Sequence, residues 1–369
     1  MTPRRILFAT QTFPPDLGGM EGLMGGLATA LARHGLAVEV FADRIRSDRP
    51  ELTDALFALR RFGGPRPLRR WLKRRVVAAS LRAGPPAALV ADSWKSVEAL
   101  PRVAAPLLVL AHGMEFPPEP SARKAARIRA ALARATGVAA NSRYTLDRLR
   151  PYLPAATRCD VIAPPIDPQP EPAEAALRAV QAVVAGDGPV LLTLSRLEPR
   201  KGVDQVIRAL PGLAARHPGV LHLVAGGGPD LGRLEALAGS LGVTDRVRFL
   251  GRVDETTKAA LFRCADLFAM PVRREGASVE GFGIAYLEAA WHGLPALAGR
   301  EGGAAEAVAA GETGDICDGA DLASVEAALA RLLADPDVLR GMGRRAAARV
   351  RAEFLWPQAV PRYLALLEA

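Results

Sequence analysis

Short apolar runs alternate along this chain with longer stretches whose apolar positions recur at helical spacing. The first run, Arg5–Thr10, leads into a Pro/Gly loop at Phe13–Gly19, a helical stretch at Glu21–His34 and a second run at Leu36–Phe41. Further runs follow at Ala87–Ala91, Pro106–Ala111, Thr136–Ala140 and Asp160–Ala163. Strands separated by helices predict a parallel sheet with crossover connections. The segment Pro164–Pro172 carries Pro164, Pro165, Pro168, Pro170 and Pro172, which a helix or a central strand does not accept. It reads as a linker, because the pattern then restarts at Pro189–Leu194, Val220–Ala225, Val247–Leu250, Leu267–Met270 and Pro295–Ala298. The expectation is an α/β chain of two doubly wound, Rossmann-like domains facing across a cleft, over residues 1–165 and 173–353. Ligands of such sheets bind at the carboxyl ends of the strands.

A chain of 369 residues, half of them apolar, has enough material for two cores. No stretch of eighteen residues is free of charge, which argues against a membrane span, and the run after Arg4 and Arg5 is too short for a signal peptide. Cys159, Cys264 and Cys317 are odd in number and far apart, so they read as reduced thiols without metal spacing. The net charge of +9 is uneven: residues 1–168 hold 26 Lys and Arg against 14 Asp and Glu, and the remainder is slightly acidic. A basic front half points to an anionic ligand or surface there.

Four motifs carry candidate chemistry. In Glu280-Gly-Phe-Gly-Ile-Ala-Tyr-Leu-Glu288 one carboxylate lies in a glycine-containing loop and the other inside a helix that starts near Gly283. The unpaired N–H groups of that helix start suit a phosphate. A loop carboxylate can accept sugar hydroxyls and a helical one a ribose diol. Ser195-Arg196-Leu-Glu-Pro-Arg-Lys201-Gly202 follows the strand at Pro189–Leu194 and places a guanidinium and an ammonium where they can neutralise a diphosphate. Phe13-Pro-Pro-Asp-Leu-Gly18-Gly19-Met-Glu21 is a glycine turn into the first helix, and His112-Gly113 closes the run Pro106–Ala111. Two further segments are weighed as structural. Ala225-Gly-Gly-Gly-Pro229 misses the GxGxxG spacing, and Asp335-Pro-Asp337 reads as a helix cap rather than a metal site.

Residues Arg66–Arg82 have the make-up of an interfacial helix. Leu68, Trp71, Leu72, Val76 and Ala79 fall on one side, and Arg66, Arg69, Arg70, Lys73 and Arg74 occupy most of the rest. The bland alternative is an ordinary amphipathic helix with its apolar side on the domain core and its basic side in water.

Taken together, these motifs resemble the retaining family 4 glycosyltransferases of GT-B fold. The run Phe268–Pro271, the segment Glu280–Glu288 and Gly302-Gly303-Ala-Ala-Glu306 are similar to the bacterial phosphatidylinositol and exopolysaccharide mannosyltransferase branch. The resemblance implies that Arg196 and Lys201 bind the donor diphosphate, Glu280 the donor sugar and Glu288 the ribose. Gly283 and Ile284 would offer N–H groups to the phosphates, and Arg252 and Val253 would flank the base. Gly18 and Gly19 would line the donor site from the other domain, with His112 near the transferred sugar. Residues 354–369 would cross back onto the first domain. Where the family has an Asn-Gly-Val-Asp turn after the linking strand, this chain has Pro164-Pro165-Ile166-Asp167.

The implied activity is hexosyl transfer with retention, mannose from GDP-mannose being favoured. Domain closure would exclude water. Neither metal nor other cofactor is expected, the nucleotide sugar being a substrate. The expected partners are that donor, a lipid-linked or glycan acceptor and an anionic membrane surface, with no nucleic acid. The expected location is cytoplasmic, peripheral on the inner face of the cell membrane. Two alternatives stay open at this point: a GT-B protein that binds a nucleotide sugar without transferring it, and a transferase using a UDP-sugar on a soluble acceptor. An NAD-dependent enzyme lacks its fingerprint here.

Overall fold

The computed structural model describes residues 4–16, 18–44 and 55–368. Leu17 of the first glycine motif and residues 45–54 lie outside the described residues. Two compact units emerge, the first from Met1–Asp167 together with Trp356–Ala369 and the second from Pro168–Leu355.

In the first unit the strands are β1 (Arg5–Ala9), β2 (Ala37–Asp43), β3 (Ala58–Phe62), β4 (Ala88–Ala91), β5 (Leu107–Ala111), β6 (Gly137–Ala140) and β7 (Arg158–Val161). Its helices are α1 (Gly19–Arg33), α2 (Arg66–Ala83), α3 (Trp94–Ala99), α4 (Ala122–Leu132) and α5 (Arg143–Leu149). All strand pairs are parallel, in the order β3-β2-β1-β4-β5-β6-β7. The order reverses between β1 and β4, the place where doubly wound sheets hold ligands. The central strands are buried on both faces, which explains their unbroken apolar runs. One face is covered by α1, the other by α2, α3 and α4, as the side chains of Met24, Leu27 and Leu31 against those of Val77, Trp94 and Ile128 show.

The second unit contains α6 (Glu174–Val183), β8 (Val190–Leu194), α7 (Val203–Arg216), β9 (Leu221–Ala225), α8 (Leu231–Ser240), β10 (Val247–Gly251), α9 (Glu255–Cys264) and β11 (Leu267–Met270). It continues through α10 (Ile284–Trp291), β12 (Ala296–Gly299), α11 (Ala304–Ala307), β13 (Gly314–Cys317), α12 (Leu322–Leu332) and α13 (Pro336–Glu353). Its strands run β10-β9-β8-β11-β12-β13, all parallel, and reverse order between β8 and β11. Asp335 caps α13 by accepting from the N–H groups of Asp337 and Val338, so the acidic triplet is a helix start.

After α13 the chain returns to the first unit as α14 (Trp356–Leu367), where Trp356, Val360, Tyr363 and Leu366 join the buried core under α1. A Cβ on Gly26 would lie 2.1 Å from the Trp356 ring, so α1 and α14 touch through a bare backbone.

Helix α2 does not lay its apolar side on the domain core as an ordinary amphipathic helix would; part of its basic side is buried instead. Its buried stripe holds Lys73 and Val77, while Leu68, Trp71 and Leu72 stand 50, 52 and 38% exposed. The reason is a charge partner supplied by β2. Lys73 Nζ lies 2.5 Å from Asp43 Oδ1 and donates to the carbonyl of Thr10 at 2.7 Å, and Arg69 lies 2.9 Å from Asp43 Oδ2. Arg70 reaches Glu98 at 3.6 Å. The basic residues named for a solvent face therefore divide, with Lys73 buried, Arg69 and Arg70 half-buried, and Arg66 and Arg74 exposed. Arg75 lies over the Trp71 ring at 4.7 Å. Among the described residues no helix is long and apolar enough to cross a membrane.

Candidate active site

The second unit gathers its charged candidates at the β8/β11 reversal. From the end of β8 the chain passes Arg196 and makes a 3-10 turn at Pro199–Lys201 before α7. Gly202 links turn and helix at φ 72°, and a Cβ there would lie 2.0 Å from the carbonyl oxygen of Pro271. Glycine is thus what allows the basic turn to touch the start of the loop after β11. The two segments are then tied twice. The N–H of Arg273 donates to the Arg200 carbonyl at 2.9 Å, and its guanidinium grips the buried Asp204 with bonds of 2.8 and 3.1 Å.

Glu280 sits on that second loop. Its carbonyl accepts from the N–H of Gly303 at 2.9 Å, and a Cβ on Gly302 would lie 2.2 Å from the same oxygen. The carboxylate accepts from Arg200 Nη1 at 2.7 Å and from Lys201 Nζ, both on Oε2. Oε1 makes no hydrogen bond among the described residues. Burial would raise the Glu280 carboxyl, but Lys201 and Arg200 outweigh it and hold the group below the usual carboxylate range. Glu280 is therefore a fixed anion with one free oxygen.

Gly283 caps α10 in the left-handed conformation and Ile284 opens the helix, whose first N–H groups have no helical partner. Glu288, one turn further on, is separate from the Glu280 cluster. It pairs with Lys258 of α9 at 3.0 Å. Burial pushes its carboxyl up despite Lys258. Arg252 and Val253 follow β10, and a Cβ on Gly227 would lie 3.8 Å from the Arg252 side chain. The Gly226–Gly228 turn lies against the β8 end, with Leu197 donating to the Gly227 carbonyl at 3.1 Å.

Arg196 differs from its neighbours. Its side chain is 73% exposed, with Nε 3.1 Å from Glu198 Oε1. Sequence reasoning passed over Glu198, Arg200, Lys258, Asp204 and Arg273. The first two stand inside the motif itself, as an acid between two basic residues and a second Arg beside Lys201, so that signal was present. The other three are brought in by folding.

In the first unit the β1/β4 reversal is also closed by polar bonds. Asp92, at the end of β4, accepts from Thr10 Oγ1 at 2.9 Å and from the N–H of Gln11 at 2.7 Å. His112 follows β5, and its Nε2 lies 2.9 Å from the Asp92 carbonyl, which can only accept, so Nε2 donates. Its own N–H donates to Glu115 at 2.7 Å. Gly18 and Gly19 lead into α1.

Both units match known families. Residues 17–170 match the Glycosyltransferase Family 4 model, and residues 179–349 match Glycosyl transferases group 1. The chain thus carries a family 4 glycosyltransferase domain followed by a glycosyl transferases group 1 domain. It is 42% identical over 207 residues to the GDP-mannose-dependent alpha-(1-6)-phosphatidylinositol monomannoside mannosyltransferase of Mycolicibacterium smegmatis, covering 55% of this chain and 54% of that one. The Mycobacterium tuberculosis enzyme of the same name is 39% identical over 221 residues, covering 58% and 57%. The match thus spans about half the length of these relatives. Among solved structures, the chain superposes on sucrose-phosphate synthase from Thermosynechococcus elongatus with a TM-score of 0.79 at 21% identity, covering 98% of each chain. Anabaena HepE in complex with UDP gives 0.79 at 20%, covering 98 and 99%. These likenesses establish the GT-B fold of the chain.

Proposed function

We propose that the protein transfers mannose from GDP-mannose to a lipid-linked acceptor, with retention and without metal. The observation that carries this reading is Glu280, held through Oε2 by Arg200 and Lys201 at the β8/β11 reversal with Oε1 open. That arrangement suits a sugar hydroxyl on the carboxylate and a diphosphate on Lys201 and Arg196. Donor and acceptor are named from the mannosyltransferases to which the chain is similar.

Lys201 and Arg196 would stabilise charge as it develops on the leaving diphosphate, the α10 start adding its unpaired N–H groups. Glu280 would orient the sugar, and Glu288 would accept from the ribose. The acceptor hydroxyl would attack from the face that the diphosphate leaves, and the donor phosphate oxygen would take its proton. In this reading the cations supply what a divalent metal supplies elsewhere. The first unit would bind the acceptor, with Gly18, Gly19 and His112 at its strand ends and the exposed Leu68, Trp71 and Leu72 of α2, flanked by Arg74 and Arg75, resting on an anionic membrane face. The location that follows is peripheral, on the inner face of the cell membrane.

The test is incubation with labelled GDP-mannose and, separately, labelled UDP-glucose, with a lipid extract and with soluble glycans as acceptors. Label from GDP-mannose should enter the lipid fraction. Transfer only from the UDP-sugar, only to soluble glycans, or nucleotide binding without transfer would each refute a distinct part of the reading.

A further inference from the structure

Five charged groups alternate in sign through the basic turn and the Glu280 loop. Arg196 Nε lies 3.1 Å from Glu198 Oε1, Glu198 Oε2 accepts from Arg200 Nε at 2.9 Å, and Arg200 Nη1 donates to Glu280 Oε2 at 2.7 Å. Lys201 closes the series on that same oxygen. The two cations assigned above to the donor diphosphate are the ends of this ladder, and Arg200 is its centre. In the protein as it stands, each end cation is already held by a carboxylate.

Resting on the donor reading above, we propose that Arg200 is a positioning residue: when the diphosphate draws Arg196 and Lys201 onto itself, Arg200 remains as the shared counter-ion of Glu198 and Glu280 and keeps Glu280 in place for the donor sugar.

The geometry separates the three cations by task. Arg196 is mostly in water, where a salt bridge contributes little, so a phosphate can take it from Glu198 readily. Arg200 is largely buried and forks, with Nε on one carboxylate and Nη1 on the other, which a single ammonium does not reproduce. Its backbone is held independently of any ligand, by the Arg273 N–H on its carbonyl and the Arg273–Asp204 pair beneath. Without Arg200, a loaded site would leave two carboxylates beside phosphate oxygens with no cation of their own. Glu198, in turn, competes with the donor for Arg196.

The test uses the full chain with GDP and GDP-mannose as probes, and the variants Arg200→Gln, Arg200→Lys and Glu198→Gln. Arg200→Gln should lower kcat at least about thirtyfold while the calorimetric Kd for GDP moves less than about threefold. The groups facing Glu280 are Lys201, Arg200 and the buried Tyr286 hydroxyl, with Glu198 behind Arg200. With one cation gone, the acid limb of the kcat profile should move to higher pH. Arg200→Lys should recover at least about tenfold of the lost kcat, since a point charge still neutralises Glu280. Glu198→Gln, at a partly buried site, should tighten GDP binding about threefold or more by releasing Arg196. Thermal melts check that each variant is folded. Loss of GDP affinity in Arg200→Gln with kcat kept would make Arg200 a direct phosphate ligand and overturn the proposal. Unchanged kinetics and pH profile, or unchanged GDP binding in Glu198→Gln, would overturn it too. Wild-type protein that binds neither GDP nor UDP would instead sink the donor reading itself, a failure visible before any variant is made.

Discussion

Lys201→Ala is the substitution whose cost follows most directly from the structure. The Lys201 side chain is 11% exposed and donates to Glu280 Oε2, which Arg200 also serves. Removing one partner of a buried ion pair costs about 3–5 kcal/mol when the other is left alone. Here Arg200 remains, so the expected loss of folding stability is smaller, about 1–2 kcal/mol. The loss of transfer should be larger in effect, because no other group takes over a phosphate oxygen at that point. One charge-stabilising donor is worth about a hundredfold in rate, or roughly 2.7 kcal/mol. Glu280 reports the same change through pH. Its folded-state carboxyl is depressed, so its contribution to stability is present above the ordinary carboxylate value of 4.5 and is lost as pH falls through the depressed value. With Lys201 gone the depression shrinks, so the pH-dependent loss is smaller and is complete at a higher pH. Steady-state kcat/KM, urea melts at neutral and acid pH, and GDP calorimetry measure the three effects. A folded variant with kcat/KM within about threefold of wild type would refute the assignment of Lys201 to the diphosphate.

Glu280→Gln should slow transfer more than it weakens GDP binding, and Glu288→Gln the reverse; calorimetry that gives Glu280→Gln the larger affinity loss would mean the two roles are assigned backwards. Transfer should persist in EDTA, and complete loss restored by Mg²⁺ or Mn²⁺ would contradict a metal-free mechanism. Co-sedimentation with anionic vesicles should fall on changing Leu68, Trp71 and Leu72 to Ser, and fall with salt when Arg74 and Arg75 are kept. Protein that stays in the supernatant with anionic lipid at low salt would leave α2 without a membrane role. Burial holds His222 down to about 3 from an ordinary 6.5, so below 6.5 the unfolded chain takes a proton that the folded one does not. Stability should therefore decline with pH over that window, by roughly 2–3 kcal/mol at two units below 6.5, and urea melts of His222→Asn should lack this component.

The central strands were legible because burial on both faces demands apolar runs: β1, β4, β5, β6, β11 and β12 carry one, and β8 and β9 are each interrupted by a single residue, Thr193 and His222. Of the sheet edges, β10 was read at Val247–Leu250, but β3 and β13 were not. Residues Ala58–Phe62 include Arg60 and Arg61, and Gly314–Cys317 is four residues with an Asp, so neither run reads as apolar, yet each forms an edge strand. At the other edge, β7 begins at Arg158, two residues before the run expected from Asp160. For α2 the periodicity identified the helix but not its buried face, since Asp43 lies far off in sequence and makes the charged stripe the better one to bury. In the site, the types Arg, Lys and Glu at their spacing gave the cluster at Lys201 and Glu280. The order in which the charges pair could not be read, because Arg196, Arg200 and Lys201 are equivalent as letters and differ only in what folding leaves exposed.

Helix α14 has a consequence for how this chain comes into being. The ribosome releases Met1–Asp167 long before Trp356, Val360, Tyr363 and Leu366, which complete the core beneath α1, have been made. The second unit, from Pro168 to Leu355, is one continuous segment and can be finished first. A nascent chain should therefore carry an uncovered apolar patch around Leu23, Leu27 and Gly26 until α14 emerges, and the order of maturation runs against the order of synthesis. A stop codon at Trp356 would remove no residue of the second unit and still leave the first one open.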